Sequence, residues 1–209
     1  MRNLFLTSSF LFLLFGGAVS AQTTFGVRAG LNLPKLQITA DGSAASYTSD
    51  AAANFYLGGY ANLPVGGNFA VQPGVTLQRK GGKFKTDGVV EFPGGKGTIT
   101  FTSIEVPVNL VYTIPVANSG AFLINAGPYV GVNVSAKAKA GNVSEKLELG
   151  SNEEQASRLD YGLNFGGGYQ LVNGLTINVG YGLGLQNLLN VDAVQMKNRV
   201  WSVGLGFSF

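Results

Sequence analysis

The amino-acid sequence predicts an all-β fold, an eight-stranded antiparallel up-and-down transmembrane β-barrel. One observation is the end of the chain, where residues 201–209 place a large apolar side chain at every odd position and Ser or Gly at every even position. Because successive side chains of a strand point to opposite faces, one face is apolar and the other carries little bulk, as lipid outside and a narrow interior require. The other observation is composition: 31 Gly and 12% charged residues, with no apolar run of helix-spanning length after residue 21.

The first 21 residues are predicted to be a secretory signal peptide. Arg2 supplies the positive start, residues 4–15 are mostly apolar, and residues 18–21 are small or apolar residues that end on a cleavage site. Residues 22–209 then form a single barrel domain, which we expect in the cell outer membrane.

Eight stretches of alternating residues define the predicted strands. Their apolar faces carry no charged residue, which is informative because a charge at the bilayer midplane costs about 2–4 kcal/mol. The opposite faces consist mainly of Gly, Asn, Gln, Thr and Tyr, which suits an interior just wide enough for its own side chains. The stretches are 24–33, 54–63, 69–80, 103–112, 121–135, 160–171, 175–186 and 199–209.

The connections alternate in length, which predicts the topology. Short connections are expected at the periplasmic end and long ones outside the cell. Asn173-Gly174 predicts a type I′ hairpin turn. Ile99 and Phe101 are out of phase with Ile104, which predicts either a bulge near 102–103 or a hairpin beyond the membrane. The long connections are 34–53, 81–98, 136–159 and 187–198, and the short ones are 64–68, 113–120 and 172–174.

Composition also excludes several functions. The chain has no Cys and no His, so it lacks thiolate chemistry and the commonest general base and metal ligand. Removing the signal peptide takes away Arg2, which leaves 13 basic and 11 acidic residues and no excess typical of nucleic-acid binding. We therefore expect no enzyme activity, no cofactor, no metal site and no nucleic-acid partner.

Two pairs of charged residues are candidates for a functional site. Arg28 and Glu105 lie on inward faces near mid-strand, and an ionised group in a packed interior needs a partner, so they are predicted to form an ion pair across the lumen. This pair would act either as a structural plug or as the gate of a small pore. Lys80 and Asp160 form a second possible pair near the outer rim.

Six short motifs resemble the PorT-like outer-membrane β-barrel family, which is typical of Bacteroidota. The resemblance implies an eight-stranded outer-membrane barrel and implies no specific activity. The motifs are FGVRAGLN at 25–32, VQPGV at 71–75, IEVPV at 104–108, NAGPYVG at 125–131, DYGL at 160–163 and the ending at 197–209.

Two functions from different classes fit the sequence. The first is an integral outer-membrane barrel with a structural or surface-interaction role and no catalytic chemistry. The alternative is a narrow passive channel or small-ligand binder gated by Arg28 and Glu105. Expected partners are outer-membrane lipid, the barrel-assembly machinery through the C-terminal strand ending at Phe209, and a surface partner at the outer loops.

Signal-peptide cleavage is directly testable. Cleavage after Ala21 should give a mature protein beginning at Gln22, because residues 18–21 satisfy the small-residue requirement of the processing enzyme. N-terminal sequencing of protein from outer-membrane fractions checks this result. An intact Met1 would contradict the cleaved signal peptide, and a soluble periplasmic monomer would contradict the barrel.

Overall fold

A computed structural model describes residues 23–40, 46–85, 96–152, 155–190 and 194–209. The signal peptide at 1–21 lies outside the described residues and stays a prediction. No described helix is long and apolar enough to cross a membrane. The described strands are β1 Thr24–Ala40, β2 Ser46–Thr48, β3 Asn54–Gly66, β4 Phe69–Lys85, β5 Lys96–Val116, β6 Gly120–Ala140, β7 Val143–Leu147, β8 Leu149–Gly150, β9 Ala156–Ser157, β10 Leu159–Leu171, β11 Leu175–Gly184 and β12 Val194–Ser208.

Eight of these strands close into a barrel. The ring runs β1, β3, β4, β5, β6, β10, β11 and β12, and every neighbouring pair is antiparallel. β12 closes the ring against β1 in a register that runs from Gly26 opposite Ser208 to Ala40 opposite Val194. Each predicted strand overlaps one ring strand, so the predicted fold class is confirmed.

The two faces of the ring strands differ as predicted. Outward side chains are apolar and exposed: Val130 is 50%, Ile177 56% and Trp201 56% accessible. Inward Asn32 and Asn109 are almost fully buried, at 0% and 2%. An apolar surface of this extent, wrapped around the whole barrel, is stable only against lipid.

Several ring strands continue well past the predicted ends. β4 has 17 residues, and β5 and β6 have 21 each, although about 10 tilted residues suffice to cross a bilayer. Most of the extra residues lie at the end of the barrel with the long connections. There the polarity of the two faces is reversed, because Thr98 and Thr100 point outward while Phe84 and Phe101 are buried inside, each 1% accessible.

This reversal explains the irregularity predicted near Ile99 and Phe101. Phe101 lies inside the barrel, as Glu105 does, so β5 keeps one phase throughout. The β5–β6 register does shift between Thr102 and Ser103, but the extra residue is Val134 on β6. A bulge is therefore present at the predicted height, on the neighbouring strand.

The hairpin at 172–174 differs from the predicted type I′ turn. That turn needs positive φ at both central residues, and Asn173 does not have it, whereas Gly174 has φ 88°. The Gly174 N–H donates to the Leu171 carbonyl at 3.0 Å, and Oδ1 of Asn173 accepts the N–H of Leu175 at 3.1 Å. The loop therefore has three residues, and its last position requires glycine.

The lipid-facing assignment predicts a strong asymmetry between substitutions. Val130→Arg and Val179→Arg should each lower the free energy of unfolding by about 2–4 kcal/mol, because each puts a charge near the bilayer midplane. Val130→Leu is the matched control and should cost far less. Urea unfolding in phospholipid vesicles measures all three, and equal tolerance of Arg and Leu at Val130 would contradict this orientation.

Candidate functional site

Three charged side chains meet inside the outer half of the barrel, and we call Lys80, Glu105 and Asp160 the ion cluster. Nζ of Lys80 lies 2.5 Å from Oε1 of Glu105 and 3.0 Å from Oδ2 of Asp160. Their side chains are at most 3% accessible. Nζ of Lys80 also donates to the Tyr129 hydroxyl at 3.2 Å, and that hydroxyl donates to Oδ1 of Asp160 at 3.3 Å.

Neutral polar side chains complete the ion cluster. Nε2 of Gln78 donates to Oε2 of Glu105 at 2.8 Å, and Oγ of Ser103 donates to Oε1 at 3.3 Å. Nδ2 of Asn32 in turn donates to Oε1 of Gln78 at 2.9 Å. These bonds satisfy carboxylate lone pairs that one ammonium group cannot reach, which is a condition for burying an ion pair without severe cost.

The predicted ion pair between Arg28 and Glu105 is not formed. The two residues are connected by successive cross-strand pairs: Arg28 lies opposite Gly58, Gly58 opposite Thr76, and Thr76 opposite Glu105. Barrel strands tilt by about 40°, so three steps of about 4.8 Å across the sheet raise Glu105 about 9 Å above Arg28. At that height Lys80, and not Arg28, pairs with Glu105.

The structure does bring Lys80 and Asp160 together. Their position differs from the predicted outer rim, however, because both are buried, at 2% and 1% accessibility. Arg28 lies closer to the periplasmic end, with its guanidinium carbon 5.6 Å from the centre of the Tyr60 ring, and forms no ion pair with any described residue.

An apolar cluster closes the barrel above the ion cluster, and we call it the apolar cap. Phe84 and Phe101 are inward residues of β4 and β5, and Leu188 reaches the cluster from the segment that follows β11. Tyr47 stacks on Phe84 with ring centres 6.4 Å apart. The buried members of the cap are Leu36, Phe84, Phe101, Ala136, Ala156, Leu188 and Met196.

A cavity of about 120 Å³ remains in the barrel, and we call it the inner cavity. Arg28, Tyr56 and Tyr60 line it, and the Tyr56 hydroxyl donates to Oδ1 of Asn178 at 2.8 Å. Oγ1 of Thr76 also faces a buried environment without a hydrogen-bond partner in the described structure. Ordered water satisfies such groups when a polar cavity is large enough, as this one is.

A family model described as an outer membrane protein beta-barrel domain matches residues 20–190. The chain belongs to this family. Membership in the outer membrane protein β-barrel domain family places the protein in the outer membrane, so the predicted localisation is confirmed. No curated protein matches the chain.

Solved structures of outer-membrane barrels are similar to this chain. Ail, the attachment invasion locus protein of Yersinia pestis, is 18% identical over 90% of this chain and 100% of Ail, with a TM-score of 0.45. Neisserial surface protein A is 13% identical over 90% of this chain and 100% of that protein, with a TM-score of 0.49. OprG from Pseudomonas aeruginosa is 14% identical over 89% of this chain and 95% of OprG, with a TM-score of 0.43.

Sequence reasoning missed the apolar cap and the centre of the ion cluster. The cap had a signal, because the inward phase Lys80, Gly82, Phe84 continues unbroken through the residues assigned to a loop. The link between Lys80 and Glu105 had none, because the two residues are not direct strand partners: Lys80 lies opposite Phe101, and Glu105 lies opposite Thr76. Space for it comes from Gly131, where a Cβ would lie 2.6 Å from Cγ of Glu105.

The ion cluster predicts which charges are energetically coupled. Lys80→Met should lower the free energy of unfolding by about 3–5 kcal/mol, because it strands two buried carboxylates. Adding Glu105→Gln and Asp160→Asn to that variant should restore most of the loss. Urea unfolding in lipid vesicles measures each change.

Double-mutant cycles provide the control. Lys80 with Glu105 should show a coupling energy of about 0.5–3 kcal/mol, whereas Arg28 with Glu105 should be close to additive. Stronger coupling for the Arg28 cycle would restore the pairing predicted from sequence and contradict the ion cluster.

Proposed function

We propose that this protein is a closed outer-membrane barrel with a structural or surface-interaction role and no catalytic chemistry. The observation that supports this is the filling of the outer half of the lumen. The ion cluster occupies one level and the apolar cap the next, with Phe84, Phe101 and Leu188 each at most 1% accessible. An ion that entered from the periplasmic side would meet two successive layers of packed side chains.

The ends of the strands supply a surface for a partner. β4, β5 and β6 extend beyond the lipid-facing band, and β7 adds a further antiparallel strand to β6. Val143 at the start of β7 is 71% accessible. A paired sheet that carries exposed residues outside the membrane favours an interaction role over transport.

A second candidate function is binding of a small polar molecule in the inner cavity. Arg28 supports it, because this cation lines the cavity and has no acidic partner among the described residues. The volume of about 120 Å³ is far below the 300 Å³ or more of typical ligand pockets, which limits an occupant to a few waters or a small anion. The ligand-binding hypothesis therefore depends on Arg28 in the inner cavity and no longer includes the predicted Arg28–Glu105 gate.

Two finer assignments belong to the same proposal. Within the family, the motifs at 25–32 and 125–131 favour a PorT-like protein. The last residue, Phe209, is 70% accessible, and its N–H donates to the Phe25 carbonyl at 2.8 Å. An exposed aromatic side chain beside the closing strand suits recognition by the barrel-assembly machinery before the ring closes.

Planar-bilayer recording tests whether the barrel is closed. The wild-type protein should give no discrete conductance steps, because packed side chains block the lumen. The triple variant Lys80→Ala, Phe84→Ala, Phe101→Ala should conduct, because it removes the ammonium and two rings from the passage.

The matched control truncates three lipid-facing side chains, Phe55→Ala, Leu57→Ala and Phe122→Ala. It should stay silent, since it removes comparable bulk from outside the lumen. A heat-modifiable band on gels verifies that each variant is folded. Regular steps from the wild-type protein would overturn the closed barrel in favour of a passive channel.

A further inference from the structure

Six lysines share one outward face of the sheet that extends beyond the membrane, and we call this set the lysine face. All six are exposed. Register alignment puts them on one side of the sheet: Lys83 lies opposite Thr98, Thr98 opposite Lys139 and Lys139 opposite Ser144. The members are Lys83, Lys85, Lys96, Lys137, Lys139 and Lys146.

The arrangement of the lysine face costs stability. Lys137 is the direct strand partner of Lys146, and Lys85 is the direct partner of Lys96. Like charges directly opposite each other on neighbouring strands are destabilising. Lys85 is balanced by Asp50, at 2.7 Å between Nζ and Oδ2, but Lys137 and Lys146 have no ion pair to a described residue. Among the described residues no carboxylate neutralises this cross-strand pair, and an external anion would relieve its repulsion.

The height of the lysine face relative to the lipid-facing residues indicates which anion could bind there. On β6, Lys137 follows the lipid-facing Val134 by three residues, which is about 10 Å along a strand. On β5, Thr98 and Thr100 share the outward phase of the lipid-facing Ile104 and lie beyond it toward the long connections. The lysines therefore begin where the hydrocarbon ends and point away from the barrel axis, toward the headgroups of the surrounding leaflet.

We propose that the lysine face binds the phosphate groups of outer-leaflet lipid molecules that adjoin the barrel. The end with the long connections faces the cell exterior, so the adjoining leaflet is the outer one. An ammonium group binds phosphate as a point charge, and each lysine near an anionic surface contributes about 1 kcal/mol. Glu145 does not oppose this binding, because its strand partner is Ala138 and it belongs to the other side of the sheet.

Titration of the detergent-solubilised, full-length mature protein with bisphosphorylated lipid A tests the proposal. Lys137→Gln with Lys139→Gln should raise the dissociation constant by about tenfold to thirtyfold, since two contributions of that size are lost. Lys137→Arg with Lys139→Arg keeps the charge and should stay within about twofold of wild type. Affinity should also fall with added salt.

The matched control is Thr98→Gln with Ser144→Gln. It changes two neutral outward residues that lie directly opposite Lys139 and leaves all six lysines in place. This variant should bind lipid A nearly as well as wild type. An equal loss of affinity in both double variants, or none in either, would overturn the proposal, and a heat-modifiable band verifies folding in each case.

Two further probes identify the source of the phosphate. Dephosphorylated lipid A should bind much more weakly, because it keeps the acyl chains but has lost the phosphate anions that the lysines bind. Inorganic phosphate should compete only at far higher concentration than lipid A. If inorganic phosphate competes as effectively as lipid A, the face is a site for free anions and the lipid assignment is wrong.

Discussion

Closure of the ring is the constraint on which the rest of this structure depends. A backbone N–H or C=O left unpaired in hydrocarbon costs several kcal/mol, so strands can cross a bilayer only when the last pairs with the first. Once β12 has closed on β1, every ring residue points either to lipid or to the lumen. An interior this narrow then limits side-chain size. Gly26 lies directly opposite Tyr60, and Gly162 opposite Tyr129, so each ring lies where its partner has no side chain.

The same narrow lumen determines how charge is accommodated. One ammonium and two carboxylates are withdrawn from water, and direct pairing alone would not compensate for their desolvation. Gln78, Ser103 and Tyr129 supply the remaining hydrogen bonds. Breaking one member is costly, so the network holds the strands at one relative height and fills the lumen.

The sequence could predict which segments form the ring strands, which of their side chains point to lipid, and the order of the strands in the ring. These properties depend on period-2 alternation, which is local. Strand ends could not be predicted, because the rule that apolar side chains face out and polar ones face in fails where water replaces lipid. That rule predicts that Phe101 is out of phase with Ile104, although Phe101 lies on the side of β5 that Glu105 occupies. The pairing of Lys80 with Glu105 depends on how far side chains reach along the lumen, because on these neighbouring strands Lys80 lies opposite Phe101 and Glu105 lies opposite Thr76. Alternation carries no information about that reach.

The reversal of polarity along β4 and β5 links the apolar cap to the lysine face. Both strands keep one phase from the membrane into water, and only the outer solvent changes, near the paired Arg79 and Thr102. Above that level outward positions must be polar and inward ones can be apolar, so Phe84 faces the cap while Lys83 and Lys85 face out. A cap of this kind gives the extended strands a hydrophobic core of their own. That core holds the sheet rigid outside the membrane, and a rigid sheet can keep two lysines directly opposite each other despite their repulsion.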